Sequence, residues 1–352
     1  MSRQEPPSSF ADRLLHWWTD HGRHDLPWQF DRSAYRVWVS EIMLQQTRVA
    51  TVIDYFERFM ERFPTLPELA RAPLDDVLAR WSGLGYYARA RNLHRAARQC
   101  LAEHRGRLPD QAEALRQLPG IGESTANAIV AQAHDRRAPI LDGNVKRVLA
   151  RHAGIDGWPG RIGVQKQLWN EAELRTPPDR AAHYTQAIMD LGATVCTPRK
   201  PACLLCPVER DCRARIEDRV ESLPARKPRR DRPQRASTWL IIRDPDGRIL
   251  LVRRPPVGIW GGLWCLPEAG DAPTPGEAEI LPPIQHEFSH FRLRMRFAGR
   301  TPEAASQQIA DAQSRWFDID QALEAGLPRP IRQAIESLAG RLANRSQPQI
   351  DA

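Results

Sequence analysis

The chain has 352 residues, 41% hydrophobic and 27% charged, enough for two or three domains at roughly 100–200 residues each. No uncharged run approaches the ~18 residues of a membrane-spanning helix, and Met1-Ser2-Arg3-Gln4-Glu5-Pro6-Pro7 has no apolar segment behind its charge, so neither a membrane-spanning nor an exported protein is expected. Fifty-one Lys and Arg against 43 Asp and Glu leave a net charge of +8, which favours a polyanionic partner, nucleic acid first.

Residues 10–195 read as successive helices. Phe10, Leu14, Leu15, Trp17 and Trp18 recur near a period of 3.6, and a second stripe runs through Val37, Trp38, Ile42, Met43 and Leu44. Val52 to Phe63 stops at Pro64, as proline demands. Leu74–Trp81, Arg89–Glu103, Ser124–His134 and Val145–His152 complete the set, and no stretch alternates with period 2. The first half is predicted to be all-α.

The second half differs. Residues 226–235, Arg-Lys-Pro-Arg-Arg-Asp-Arg-Pro-Gln-Arg, are basic, proline-punctuated and free of apolar side chains, which marks a linker. Thr238–Arg243 and Arg248–Arg253 read as strands around the hairpin signal Asp244-Pro245-Asp246-Gly247. From Phe288 to Phe297 the chain alternates, with Phe291, Leu293, Met295 and Phe297 on one face and His290, Arg292, Arg294 and Arg296 on the other. A last helix is expected over Ile331 to Leu338, ahead of Gly340. The second half is predicted to be α+β.

Four of the six cysteines crowd together as Cys196, Cys203, Cys206 and Cys212, spaced Cys-x6-Cys-x2-Cys-x5-Cys; Cys100 and Cys265 stand alone in apolar surroundings and read as buried thiols. In a reducing compartment such a cluster ligates metal rather than forming disulfides. Zinc ribbons show two Cys-x-x-Cys pairs, and only one is present, so the uneven loop suits an iron–sulfur cluster better while zinc stays open.

Three motifs carry chemistry. Leu118-Pro119-Gly120-Ile121-Gly122 ahead of a helix offers exposed backbone N–H groups and a helix dipole to a phosphate, or is an ordinary glycine turn. Asp142, in Leu141-Asp142-Gly143-Asn144-Val145-Lys146-Arg147, falls where a helix begins. It is either an N-cap alone or an N-cap whose carboxylate the dipole keeps ionised to face a developing cation. Glu41 is the sole acid of an apolar helical stretch, where desolvation raises a carboxyl pKa towards that of a general acid, unless it faces solvent. Two carboxyls in contrasting environments are the pair expected for breaking a glycosidic bond.

In combination, Ser40-Glu41-Ile42-Met43-Leu44-Gln45-Gln46-Thr47, Gly83-Leu84-Gly85-Tyr86-Tyr87, the Leu118–Gly122 and Leu141–Arg147 motifs and the four cysteines resemble the MutY family of adenine DNA glycosylases, within the endonuclease III-like superfamily. The resemblance covers roughly residues 10–220 and implies a multi-domain protein. Its helical DNA glycosylase domain would span 8–225, with a helix-hairpin-helix at about 106–134 and an iron–sulfur loop at 196–212. It also implies one 4Fe-4S cluster on Cys196, Cys203, Cys206 and Cys212, and Gly120, Gly122 and Lys146 against the DNA backbone.

By the same resemblance Glu41 protonates the adenine leaving group. Asp142 stabilises the oxocarbenium-like sugar, by charge or by transient covalent attack. Gln46 and Tyr86 insert into the duplex, and Gln186 and Trp28 belong to the adenine pocket; a base attacked in this way must leave the stack. Ser124 stands where bifunctional relatives carry a lysine, and a hydroxyl cannot form an imine, so the enzyme is expected to be monofunctional.

Gly258-Ile259-Trp260-Gly261-Gly262-Leu263-Trp264-Cys265-Leu266-Pro267 resembles a Nudix-like fold, expected over 236–345, but no Arg-Glu-x-x-Glu-Glu metal array follows Pro267. Phe288-Ser289-His290 matches the family's loop for 8-oxoguanine. The partner implied is double-stranded DNA with adenine opposite 8-oxoguanine or guanine, met by a cytoplasmic, nucleoid-associated monomer.

Overall fold

A computed structural model describes residues 9–228, 231–270, 279–305 and 313–345. The described residues divide into two compact units, one of residues up to 70 with 95–228, the other of 71–94 with 231 onwards. The change of unit falls in the basic segment, whose Arg229 and Arg230 lie outside the described residues. The second unit also takes Arg71–His94, which sequence alone did not separate from the first half.

In order, the helices up to the cysteines are α1 (Phe10–His21), α2 (Ala34–Leu44), α3 (Val49–Arg62), α4 (Leu66–Arg71), α5 (Leu74–Trp81), α6 (Ala88–Glu103), α7 (Ala112–Leu115), α8 (Glu123–His134), α9 (Gly143–Ala153), α10 (Ile162–Arg175) and α11 (Ala181–Asp190). Their starts are written locally. Ser9 and Asp12 form a reciprocal capping box at α1, and α3 ends at Phe63 ahead of Pro64. The core of the first unit gathers Leu14, Leu15 and Trp18 of α1 with Val145, Val148 and Leu149 of α9 and Ala187 and Ile188 of α11. After α11 the chain widens into a π-helical turn, Leu191–Val195, which delivers Cys196. Gly192 in that turn lies so close to Asn144 that a Cβ would stand 2.6 Å from the Asn144 Cβ, so α9 and the turn meet only because the residue is glycine. The short α12 (Arg213–Ile216) follows Cys212.

In the second unit, β1 (Gln234–Ile242), β4 (Glu268–Gly270), β5 (Glu279–Glu287) and β6 (Arg292–Arg300) form one sheet in the order β4-β1-β6-β5. β2 (Ile249–Arg253), β3 (Trp264–Cys265) and β7 (Ser314–Phe317) form another, in the order β3-β2-β7. The expected hairpin is therefore corrected. Gly247, at φ +87°, makes the turn, but β1 and β2 share only the Arg243–Ile249 bridge before entering different sheets. The alternation expected from Phe288 holds from Arg292 onward; Phe288 to Phe291 is the β5–β6 turn, closed by the Phe288 N–H on the Phe291 carbonyl at 2.9 Å. β5 tolerates Pro282 and Pro283 because it is an edge strand whose register shifts there.

Helices α13 (Ile319–Glu324) and α14 (Arg329–Arg345) end the described chain. The latter runs through Gly340 rather than stopping before it: a lone glycine costs a helix only about 1 kcal/mol, and Ile331, Ala334, Ile335 and Leu338 are buried along it. The segment 71–94 is tied into this unit by Ser82 Oγ and Tyr87 Oη, which donate to the Leu327 carbonyl at 2.9 and 3.1 Å, and by Arg91, which donates to the Gly261 carbonyl at 2.6 Å.

Candidate active site and cysteine cavity

Glu41 sits on α2 between the buried Ser40 and Ile42. Its Oε1 accepts from Gln132 Nε2 of α8 at 2.9 Å. Burial pushes the Glu41 carboxyl up to about 7; the Gln132 hydrogen bond opposes that rise and the charge of Asp142 adds to it. The acid that sequence placed in an apolar helix is thus held partly protonated near neutrality, within electrostatic reach of the second carboxyl.

Asp142 is the N-cap of α9, its Oδ1 accepting the Val145 N–H at 2.7 Å. One expectation is corrected here. Burial pushes Asp142 up as well, and outweighs the Val145 N–H, the Arg147 charge, the Asn144 N–H and the Lys146 charge that favour its anion. Both carboxyls therefore shift the same way, and what separates them is their company. Asp142 has two backbone donors and two cations, whereas Glu41 has one neutral amide.

Ser124, in the first turn of α8, accepts the Leu141 N–H on Oγ at 3.0 Å and so ties down the segment leading to Asp142. Gly120 takes φ +82°, which only glycine adopts without strain, and Gly122 caps α8 with open space where a Cβ would stand. Lys146 is half-buried on the first turn of α9, its N–H on the Asp142 carbonyl at 2.9 Å.

Gln46 and Tyr86 are non-glycine residues at φ +58° and +49°, both exposed. Strain of this kind persists where surrounding structure enforces it, and it clusters at functional sites. In its own unit Tyr86 lies under the Arg89 guanidinium, 5.6 Å from the ring centre. Trp28 is a core residue, 4% exposed and edge-on to Phe56 at 5.5 Å. Gln186, 3% exposed, donates through Nε2 to Asp190 Oδ1 at 2.8 Å.

The structure brings Cys196, Cys203, Cys206 and Cys212 to the wall of one small cavity. None forms a disulfide. Cys206 is pushed up to about 12, by burial first, with the charges of the other three cysteines adding to the rise, so the sulfurs are electrostatic neighbours. Arg151 donates to Cys196 Sγ at 3.4 Å, and backbone N–H groups of Val208, Ala214 and Arg215 face Cys206 and Cys212. Among the described residues no three metal-ligating side chains converge in ligand geometry. The donor set nevertheless fits a cluster: four thiols on one cavity, amide donors to sulfur and an arginine beside it to offset thiolate charge.

In the second unit, Phe288 stacks on Phe291 at 4.6 Å and meets Trp260 at 5.4 Å and His286 at 4.6 Å. Ser289 and His290 are exposed at the turn, Ser289 Oγ and His290 Nδ1 3.3 Å apart. Arg292 and Arg294 project outward from β6, while Leu293, Met295 and Phe297 are buried.

Sequence reasoning missed Gln132 and the Asp190 hub. The signal for both was a polar residue on a buried helical face: Gln132 among Ala128, Ile129 and Ala131, and Asp190 one turn after Gln186.

This site and fold define a helix-hairpin-helix DNA-repair protein with an appended Nudix-like unit. Residues 39–173 match the HhH-GPD superfamily of base excision DNA repair proteins, and residues 238–337 match the NUDIX domain. Adenine DNA glycosylase of Buchnera aphidicola subsp. Acyrthosiphon pisum is 37% identical, over 93% of this chain and 97% of the relative. The human adenine DNA glycosylase is 34% identical, over 95% of this chain and 74% of the relative. A thermostable thymine-DNA glycosylase superposes with TM-score 0.53 at 26% identity, covering 59% of this chain and 95% of that one. An endonuclease III–DNA complex shares the fold, with TM-score 0.51 at 22% identity, covering 59% of this chain and 94% of that one. The chain belongs to the adenine DNA glycosylase family. Among the described residues no helix is long and apolar enough to cross a membrane.

Proposed function

We propose that this chain is an adenine-specific DNA N-glycosylase of base excision repair, acting on adenine opposite 8-oxoguanine or guanine in duplex DNA. The observation that carries the reading is the buried Glu41 carboxyl, pushed up to about 7 with the Asp142 charge adding to the rise, which supports placing the two carboxyls at one site. Glu41, protonated near neutral pH, donates its proton to a ring nitrogen of the extruded adenine, so that the base leaves without negative charge. Asp142, whose carboxylate has two backbone N–H groups and two cations beside it, faces the positive sugar as the C–N bond lengthens. Water adds to that carbon and gives up a proton, which restores the Glu41 carboxyl, leaving an abasic site and free adenine.

Gln186 and Trp28 line the adenine pocket, Gln46 and Tyr86 enter the duplex, and Gly120, Gly122 and Lys146 hold the backbone. Supporting this are the strained backbones of Gln46 and Tyr86 and the open face of Gly122. Phe288, Ser289 and His290 read 8-oxoguanine, supported by an exposed Ser–His pair on an aromatic base. Cys196, Cys203, Cys206 and Cys212 hold a 4Fe-4S cluster. Bound there, it supplies a rigid four-point crosslink of the 196–212 loop, and the base-excision steps use protein side chains alone.

The test is a duplex with one A:8-oxoguanine or A:G pair. Free adenine and an alkali-dependent nick are expected, with little borohydride-trapped adduct because Ser124 cannot form an imine. No adenine release overturns the reading.

A further inference from the structure

Asp190 is fully buried and is a hydrogen-bond hub. Its Oδ2 accepts Trp18 Nε1 and the Arg23 N–H, each at 2.9 Å; its Oδ1 accepts Arg23 Nε at 2.9 Å, Arg23 Nη2 at 2.6 Å and Gln186 Nε2 at 2.8 Å. A carboxylate paired with a guanidinium can only accept, so the Gln186 amide, one helical turn earlier, has to turn its NH2 end towards Asp190. The reverse orientation would set Oε1 against Oδ1, two acceptors with no proton between them. The other end of the amide is left over: Gln186 Oε1 is buried and has no hydrogen-bond partner among the described residues. Buried acceptors are nearly always satisfied, so this oxygen, on a residue assigned to a binding pocket, is available to a donor from a ligand.

We propose that Asp190, clamped by Arg23 and Trp18, is a specificity-determining positioning residue that locks the Gln186 amide with Oε1 free to accept from the exocyclic amine of the target base. An amino group at C6 of a purine meets that oxygen with a proton. A 6-oxo group meets it with lone pairs, so hypoxanthine and guanine are rejected. The inference rests on the adenine-pocket assignment of Gln186 given above.

The test is single-turnover release of adenine, unsubstituted purine and hypoxanthine, each placed opposite guanine, by the full chain and by Asp190→Asn. An asparagine can accept or donate, so it frees the Gln186 amide to turn over. The adenine-to-hypoxanthine rate ratio is expected to narrow by about 10-fold or more, the scale of leaving one buried polar group unpaired, with purine affected least. Equal losses on all three bases, the mark of a structural role alone, overturn the inference. If Asp190→Asn fails to fold, Gln186→Met, which removes the acceptor and leaves the ion pair in place, must narrow the same ratio, and an unchanged ratio overturns the inference equally. In Gln186→Met, adding Asp190→Asn is expected to narrow the ratio no further, and further narrowing contradicts the lock. Failure of the unaltered protein to release adenine removes the functional reading and this inference with it; adenine release with unchanged variant ratios removes the inference alone.

Discussion

Gln132 Nε2 donates to Glu41 Oε1 at 2.9 Å, and it is the neutral partner of an acid whose burial holds it near pKa 7. A lysine or arginine in its place would pull the Glu41 carboxyl down and leave it ionised. An amide orients the group while keeping it protonatable.

Glu41→Gln keeps the shape and removes the proton. Base release is expected to fall below detection while duplex binding stays within a few-fold, read by single-turnover kinetics and a binding titration. Stability moves the other way. The folded pKa of Glu41 lies above its unfolded value, so its contribution is fully present below about 4.5 and is lost as pH rises through about 7. Glu41→Gln is therefore expected to raise Tm at pH 8 and to change it less at pH 5; a lowered Tm at pH 8 contradicts the buried charge.

Asp142 combines a cap with a charge, and two substitutions separate them. Asn caps a helix about as well as Asp, so Asp142→Asn is expected to keep Tm within a degree or two while base release drops roughly 100-fold or more. Asp142→Ala loses the Val145 bond too, at about 1 kcal/mol of stability. Matching activity losses with matching Tm losses would reduce Asp142 to a cap.

Cys203→Ser removes one of four sulfurs on a shared cavity. Iron per chain, soluble yield and the absorption near ~400 nm are expected to fall together. Full iron content with unchanged folding rules out Cys203 as a ligand.

For the second unit, His290→Ala and Phe288→Ala are expected to reduce the preference for 8-oxoguanine over guanine opposite adenine, about 10-fold, while sparing A:G release. His290 is exposed, so its replacement is expected to leave folding intact and its effect to read recognition. A preference unchanged in both variants places recognition elsewhere.

Much of this was legible in residue order, because local signals are strong where they serve one purpose. The α5 span Leu74–Trp81 follows from apolar spacing, and the α8 and α9 starts from glycine and aspartate punctuation. Glu41 stood out as a lone acid among Ile, Met and Val. What sequence could not give was non-local. Nothing in Arg71–His94 announces that Ser82 and Tyr87 bind the Leu327 carbonyl some 240 residues on. The Asp-Pro-Asp-Gly turn states a reversal but not that its two strands part into separate sheets. The upward shift of Asp142 is a balance between burial and four opposing partners, and only assembled coordinates decide which side wins.

The most direct test of the central claim is the pH profile of single-turnover adenine release. On the proposed role of protonated Glu41, the rate is expected to fall as pH rises through about 7. Gln132→Leu, which removes the one hydrogen bond favouring the Glu41 anion, moves that fall to higher pH. A rate that stays level from pH 5 to 9, or rises through neutrality, contradicts proton donation by Glu41.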